Sequence, residues 1–157
     1  MYSLLKNERA ADSLPLRFTI ASLLILLIMA LFFTAISDLK GSSDENMAII
    51  EIDKLVSNSE QISVRGEGSI IYLEIDIPEK VKVHMGELPH EDNLWPSNPK
   101  NYYMQIGERH TIYESMSAFS NENMTGAYTI SPGHHELKLE TERETITGML
   151  FVKISEK

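Results

Sequence analysis

The stretch FTIASLLILLIMALFFTAI, residues 18–36, decides the fold, because it runs for 19 residues without a charge. A helix of that length spans roughly 28 Å, close to the roughly 30 Å hydrocarbon core of a bilayer. Apolar residues cover all its sides, whereas a soluble helix carries one apolar stripe. A chain of 157 residues is too small to surround such a helix. We therefore predict a transmembrane helix that contacts membrane lipid.

The charges around the span predict its direction. Residues 1–37 carry a net charge of +1 and residues 38–157 a net charge of −10, which together give −9. Basic residues therefore precede the span and acidic residues follow it. The positive-inside rule then predicts a single-pass protein of the cell membrane, with its N-terminus cytoplasmic and its C-terminal domain extracellular.

Composition narrows what the acidic part can do. It has no basic patch to neutralise phosphates, which argues against nucleic-acid binding. The chain contains no cysteine, which excludes disulfides, thiol catalysis and cysteine-based zinc sites. The outer domain must therefore be stabilised by its apolar core alone.

Removal or retention of the apolar segment is a separate question. Ala35-Ile36-Ser37 loosely fits the small-residue pattern of a signal-peptidase site, but 19 apolar residues exceed the usual signal core of about 7 to 15. An earlier cleavage site is also present, since the leader MYSLLKNERA ends in Arg9-Ala10 and is followed by Ala11.

This leader resembles the class III signal of archaeal type IV pilins and archaellum-related proteins. The resemblance implies cleavage between Ala10 and Ala11, with the apolar helix retained. Pro15 and Arg17 lie where major pilins have a continuous apolar start. They favour an anchored pilin-like protein, in which the charge of Arg17 reaches the cytoplasmic interface.

Residues 37–62 are predicted to connect the span to the outer domain. Ile49, Ile52 and Val56 recur at helical spacing, which predicts an amphipathic helix. Ser42 and Glu45 have the spacing of a capping box, so this helix either begins there or continues the first helix with a bend near Gly41. A strand over residues 50–52 is the alternative.

Residues 63–157 show the alternation of strands. Gly66-Glu67-Gly68 predicts a turn, and SIIYLEIDIP at 69–78 alternates apolar and polar residues before Pro78. Ser131-Pro132-Gly133 predicts another turn, and Glu142-Arg143-Glu144 is expected to reverse the chain. Further strands are predicted over 81–85, 102–106, 111–116, 126–130, 134–141 and 150–154, and a loop over 87–100. About seven short strands favour a small antiparallel β-sandwich, which with the helices gives an α+β fold.

The order of these elements is similar to that of small pilin-like membrane proteins of methanogenic archaea. The similarity lies in the membrane helix, the amphipathic helix, the Gly-x-Gly turn, the strand ending in Ile-Pro and the late Ser-Pro-Gly hairpin. It implies a location and an architecture more than an activity.

Candidate chemistry is sparse. The five histidines match no metal-ligand spacing, and the adjacent His134 and His135 point to opposite faces of a strand. We interpret them as surface residues and expect no metal and no cofactor. Asp44, Glu45, Glu51 and Asp53 are clustered, but nothing selects a catalytic pair. No nucleophile or phosphate-binding motif is present, so we expect no enzyme.

Two surface features remain. Trp95 lies among prolines, with Tyr102 and Tyr103 close behind. These aromatics predict an interaction surface, or else Trp95 plugs one end of the domain. Asn123-Met124-Thr125 is a sequon for N-glycosylation on a predicted loop.

The sequence thus favours a pilin-like structural or assembly component of a type IV pilus-like system, which self-associates or binds other pilin-like subunits through its membrane helix. The alternative is a membrane-tethered binding module that recognises an envelope partner or a small ligand through residues 87–103.

Overall fold

The computed structural model describes residues 8–90 and 95–157, and side chains throughout those ranges except at 8–14, 37–39 and 42. The chain divides into two compact units, residues 1–42 and 43–157. One helix and eight strands are present in the described residues: α1 (Glu8–Arg65), β1 (Ile70–Ile77), β2 (Val81–Met85), β3 (Asn101–Ile106), β4 (Arg109–Glu114), β5 (Ala118–Asn121), β6 (Tyr128–Ile130), β7 (Gly133–Arg143) and β8 (Leu150–Glu156).

The first unit contains the apolar part of α1. Pro15–Ile36 has a mean hydropathy of 2.6, none of it is buried, and it is long and apolar enough to be a membrane anchor or a signal sequence. Its hydroxyl groups are satisfied within the helix, since Thr19 and Ser22 donate to carbonyls three or four residues earlier. The apolar helix predicted at 18–36 is therefore present.

The second unit contains the amphipathic part of α1, as predicted. Ala48, Ile52, Leu55 and Ile62 are buried in the core, whereas Ile50 is 66% exposed. Because α1 continues through Gly41 without interruption, the strand predicted over 50–52 is wrong, and so is a helix start at the capping box. Glu45 instead pairs with Arg109 across 2.7 Å.

Eight strands form two four-stranded sheets, ordered β1-β7-β8-β5 and β4-β3-β2-β6. All pairs are antiparallel except β5 with β8, which is parallel. The strands predicted from alternation are all present, and β5 is an addition to them. The reversal predicted at 142–144 comes slightly later, because β7 continues to Arg143 and the Glu144 amide bonds the Met149 carbonyl at 2.9 Å. The α+β class is confirmed.

One hydrophobic core joins the helix to both sheets. It includes Ile52 and Leu55 of α1, Ile75 of β1, Met104 of β3 and Ile154 of β8. Burial of this apolar surface provides the main stabilisation at about 25 cal/mol per Å². Residues 43–65 are thus an integral part of the second unit.

Polar contacts also hold the C-terminal part of α1 in the second unit. The Glu60 carboxylate accepts hydrogen bonds from the Ser115 hydroxyl at 2.9 Å and from the Met116 amide at 3.0 Å. The Ser63 and Ser117 hydroxyls lie 2.8 Å apart. These contacts hold α1 against the segment between β4 and β5.

Three glycines are required by backbone geometry. Gly66 and Gly68 have φ of 96° and 81°, and they form the predicted turn from α1 into β1. Gly86 has φ of 96°, and a Cβ there would lie 2.6 Å from the Phe119 carbonyl oxygen. The end of β2 can therefore approach β5 only because position 86 has no side chain.

Candidate functional site

The aromatic residues proposed as an interaction surface occupy three different environments. Trp95 is half-buried, and its ring centroid lies 5.5 Å from that of Phe151. Tyr102 and Tyr103 are only 6% and 8% exposed. Neighbouring strand residues point to opposite faces, so the two tyrosines do not form one surface. Their burial argues against them as contact residues, and the packing of Trp95 fits its interpretation as a plug.

Tyr102 belongs to the hydrophobic core. Its ring stacks on Tyr113 with centroids 5.2 Å apart and meets Phe119 edge-on at 6.3 Å. Burial raises the pKa of Tyr102 to about 12, and the nearby carboxylates of Asp53 and Glu60 act in the same direction. Tyr102 is therefore a neutral structural residue at physiological pH.

Tyr103 lies within a group of histidines on the other face of the same sheet. Its ring stacks on His84 with centroids 4.4 Å apart, and His110 meets it edge-on at 5.5 Å. Glu87 lies 3.0 Å from His84 Nδ1. Burial raises the pKa of Tyr103, and the charge of Glu87 and a hydrogen bond to it add to the effect.

The histidines and the tyrosine of this polar group contact one another through their rings. His90 contacts His110 through a T-shaped ring arrangement at 5.4 Å, in which the edge of one imidazole faces the ring of the other. Within residues 8–90 and 95–157, no group of three or more potential ligands is placed to hold a metal ion. The observed contacts within the cluster are ring-packing contacts.

The two remaining histidines lie at the start of β7. His134 Nδ1 is 2.8 Å from Asp76 of β1. His135 Nδ1 is 2.7 Å from Glu156 of β8, and its Nε2 is 2.7 Å from the Ser131 carbonyl oxygen. The interpretation of both as surface histidines does not include these pairings, because partners 58 and 21 residues away leave no local signal.

The carboxylates near the start of the second unit have separate partners. Glu45 pairs with Arg109 at 2.7 Å, and Glu51 lies 3.6 Å from Lys54. Lys54 also donates to the Glu74 carbonyl of β1 at 2.6 Å. These residues hold the helix to the strands, and their geometry suggests no paired acid and base.

A surface groove of about 350 Å³ borders these contacts. It is lined by Lys54, Tyr72, Leu73, Glu74, Glu136, Leu137 and Lys157. Its lysines are already engaged, since Lys157 pairs with Glu136 at 3.1 Å. An incoming ligand would have to compete with these internal pairs.

Of the two modification sites predicted from sequence, only the glycosylation site has side chains among the described residues. Asn123 is exposed in the turn after β5, and the Thr125 hydroxyl contacts Asn121 at 3.1 Å. The cleavage site between Ala10 and Ala11 falls within α1, but its side chains lie outside the described residues. Both sites stay predictions.

Comparison of the chain with protein-family models, curated proteins and solved structures finds no match.

Proposed function

We propose that this chain is a pilin-like, single-pass membrane protein that displays an acidic β-sandwich domain outside the cell as a structural or assembly component of a type IV pilus-like system. The observation that carries the proposal is the exposed apolar segment Pro15–Ile36. Its continuation along α1 contributes core residues to the outer domain.

The exposed apolar side chains of this segment need an apolar environment to be stable. Phe18, Leu23 and Phe33 are 75%, 68% and 71% exposed, and each such side chain gains about 1.5 to 3 kcal/mol on full burial. Summed over the segment, the free energy gained by burying these side chains is far larger than that of a single contact on a protein surface. Membrane lipid supplies this environment, and neighbouring apolar helices of other subunits supply it equally well.

The charges support the proposed direction. Arg17 precedes the segment, and the region after residue 37 carries a net charge of −10. Because basic flanks are usually retained on the cytoplasmic side, this asymmetry supports an orientation with the acidic domain outside.

Topology can be tested with single cysteines, since the chain has none of its own. We expect a membrane-impermeant maleimide added to intact cells to label Glu122→Cys, in an exposed turn. We expect Ser3→Cys to react only after the membrane is permeabilised. Labelling of Ser3→Cys alone in intact cells would overturn the proposed direction.

Assembly needs its own test. Single cysteines placed in turn along residues 23–33 should give crosslinked ladders in membranes, with a helical periodicity of yield. Glu122→Cys is the matched control and should stay monomeric under the same oxidation. Monomer at every position of 23–33 would contradict an assembly component and would favour the membrane-tethered binding module.

A further inference from the structure

The acid–base pairs at the start of β7 carry an inference beyond the proposed function. We propose that His134 and His135 form an acid-strengthened latch, which fastens the start of β7 to β1, to β8 and to the turn at 131–133.

His135 carries the argument through its two ring nitrogens. Nδ1 lies 2.7 Å from a Glu156 carboxylate oxygen, and Nε2 lies 2.7 Å from the Ser131 carbonyl oxygen. Both oxygens only accept hydrogen bonds, and a neutral imidazole has one N–H to donate. The imidazolium makes both bonds, whereas the neutral ring makes one and turns a lone pair toward an oxygen. The His135 side chain is 15% exposed and that of Glu156 is 54% exposed, so water reaches the carboxylate more readily than the ring.

Glu156 is fixed as an acceptor by a second neighbour. The Tyr128 hydroxyl lies 3.4 Å from the same carboxylate oxygen. Burial raises the pKa of Tyr128 to about 12, and the charge of Glu156 and a hydrogen bond to it add to the effect. The phenol therefore stays protonated and leaves the carboxylate as the acceptor for His135.

His134 acts in the same direction from the opposite face of β7. The hydrogen bond to Asp76 raises the pKa of His134, the charges of Asp76, Glu74 and Glu136 add to the effect, and desolvation opposes it. A raised pKa stabilises the folded state fully below the ordinary histidine range, and that contribution is lost as the pH rises through the raised value. Since His134 is 56% exposed and Asp76 is 74% exposed, this half of the latch is the weaker one.

The charged groups that surround the latch are mostly acidic. They are Glu74 and Asp76 on β1, Glu136 on β7, and Glu156 and Lys157 at the end of the chain. Lys157 is paired with Glu136, so the surrounding carboxylates favour the cationic form of His134. The latch therefore strengthens as the pH falls from about 8 to about 6, where histidine gains its proton.

Thermal unfolding of the full chain in detergent micelles tests the latch, with the fluorescence of the single Trp95 as the probe. The melting temperature should fall between pH 6 and pH 8 by about 4 °C more in the unmodified chain than in His135→Gln, the effect of one hydrogen bond in a domain of this size. His134→Gln should lose a smaller part. His110→Gln, in the other sheet, is the control and should keep the full pH dependence. Full pH dependence in His135→Gln would overturn the proposal.

A second measurement covers the case in which His135→Gln fails to fold. Nitrogen-15 NMR of the unmodified chain at pH 6 should show both ring nitrogens of His135 protonated. A neutral His135 ring at that pH would overturn the latch. Neither measurement depends on membrane direction or assembly, so their failure is distinguishable from failure of the proposed function. The proposed function enters in one respect only: if the domain lies outside the cell, the latch responds to the pH of the external medium.

Discussion

Replacing one buried isoleucine of α1 tests whether residues 43–65 belong to the core of the second unit. Ile52 is 2% exposed, and two positions earlier Ile50 is 66% exposed. Truncation of a buried isoleucine to alanine removes apolar contacts and leaves a cavity, which costs about 2 to 5 kcal/mol. Alanine at the exposed position loses almost no burial and gains a few tenths of a kcal/mol in helix propensity.

The two substitutions therefore form a matched pair with the same chemical change. In a domain of this size, each kcal/mol lost from the free energy of unfolding lowers the melting temperature by roughly 4 °C. Ile52→Ala should therefore melt about 8 °C or more below the unmodified chain. Ile50→Ala should melt within about 2 °C of it. Both are measured on the full chain in micelles at pH 7 by Trp95 fluorescence.

Equal melting temperatures for the two variants would refute the reasoning, because they would show that this helix face does not contribute to the stability of the domain. Leu55→Ala, at another fully buried position, should behave like Ile52→Ala. Agreement between the two buried positions excludes a peculiarity of one site.

Three further predictions use the same unfolding assay. Gly86→Ala should cost at least about 2 kcal/mol, since φ is positive and the Phe119 carbonyl oxygen blocks a Cβ, and a melting temperature equal to that of the unmodified chain would contradict this. Glu60→Ala should cost about 2 kcal/mol through two lost hydrogen bonds, and Glu60→Gln less than half of that because an acceptor oxygen is kept; equal losses would contradict the assigned role. The pKa values of Tyr102 and Tyr128 are raised to about 12. The free energy of unfolding should therefore fall as the pH rises from about 10 to about 12, because these phenols ionise first in the unfolded chain. Ultraviolet difference absorbance of the folded chain should show that these two phenols do not ionise at about pH 10.

Local patterns predicted most of the secondary structure. Apolar content alone identified the segment within Pro15–Ile36, and strict alternation identified β1 and β2, because each depends only on neighbours along the chain. The continuity of α1 through Gly41 was harder to predict. Gly41-Ser42-Ser43 weakens a helix locally, but core contacts on the C-terminal side, beginning at Ala48, favour helix over a break.

Non-local pairing explains what the sequence could not show. Strand β5 is four residues long, has three consecutive buried residues and pairs in parallel with β8, so it shows no alternation. The burial of Tyr103 could not be predicted from local sequence, because the histidines that cover it come from β2 and β4. The partners of His135 likewise meet it only after the strands have paired.

The intact mass and N-terminal sequence of the protein recovered from membranes test the central claim most directly, since that claim is a retained apolar helix joined to an outer domain. We predict a chain that begins at Ala11, as a prepilin-type cut implies, and that still contains residues 18–36. A chain that begins at Met1 would keep the anchor but contradict the pilin-like processing. A chain that begins at Asp38 would contradict the account, because the helix would then be a discarded signal.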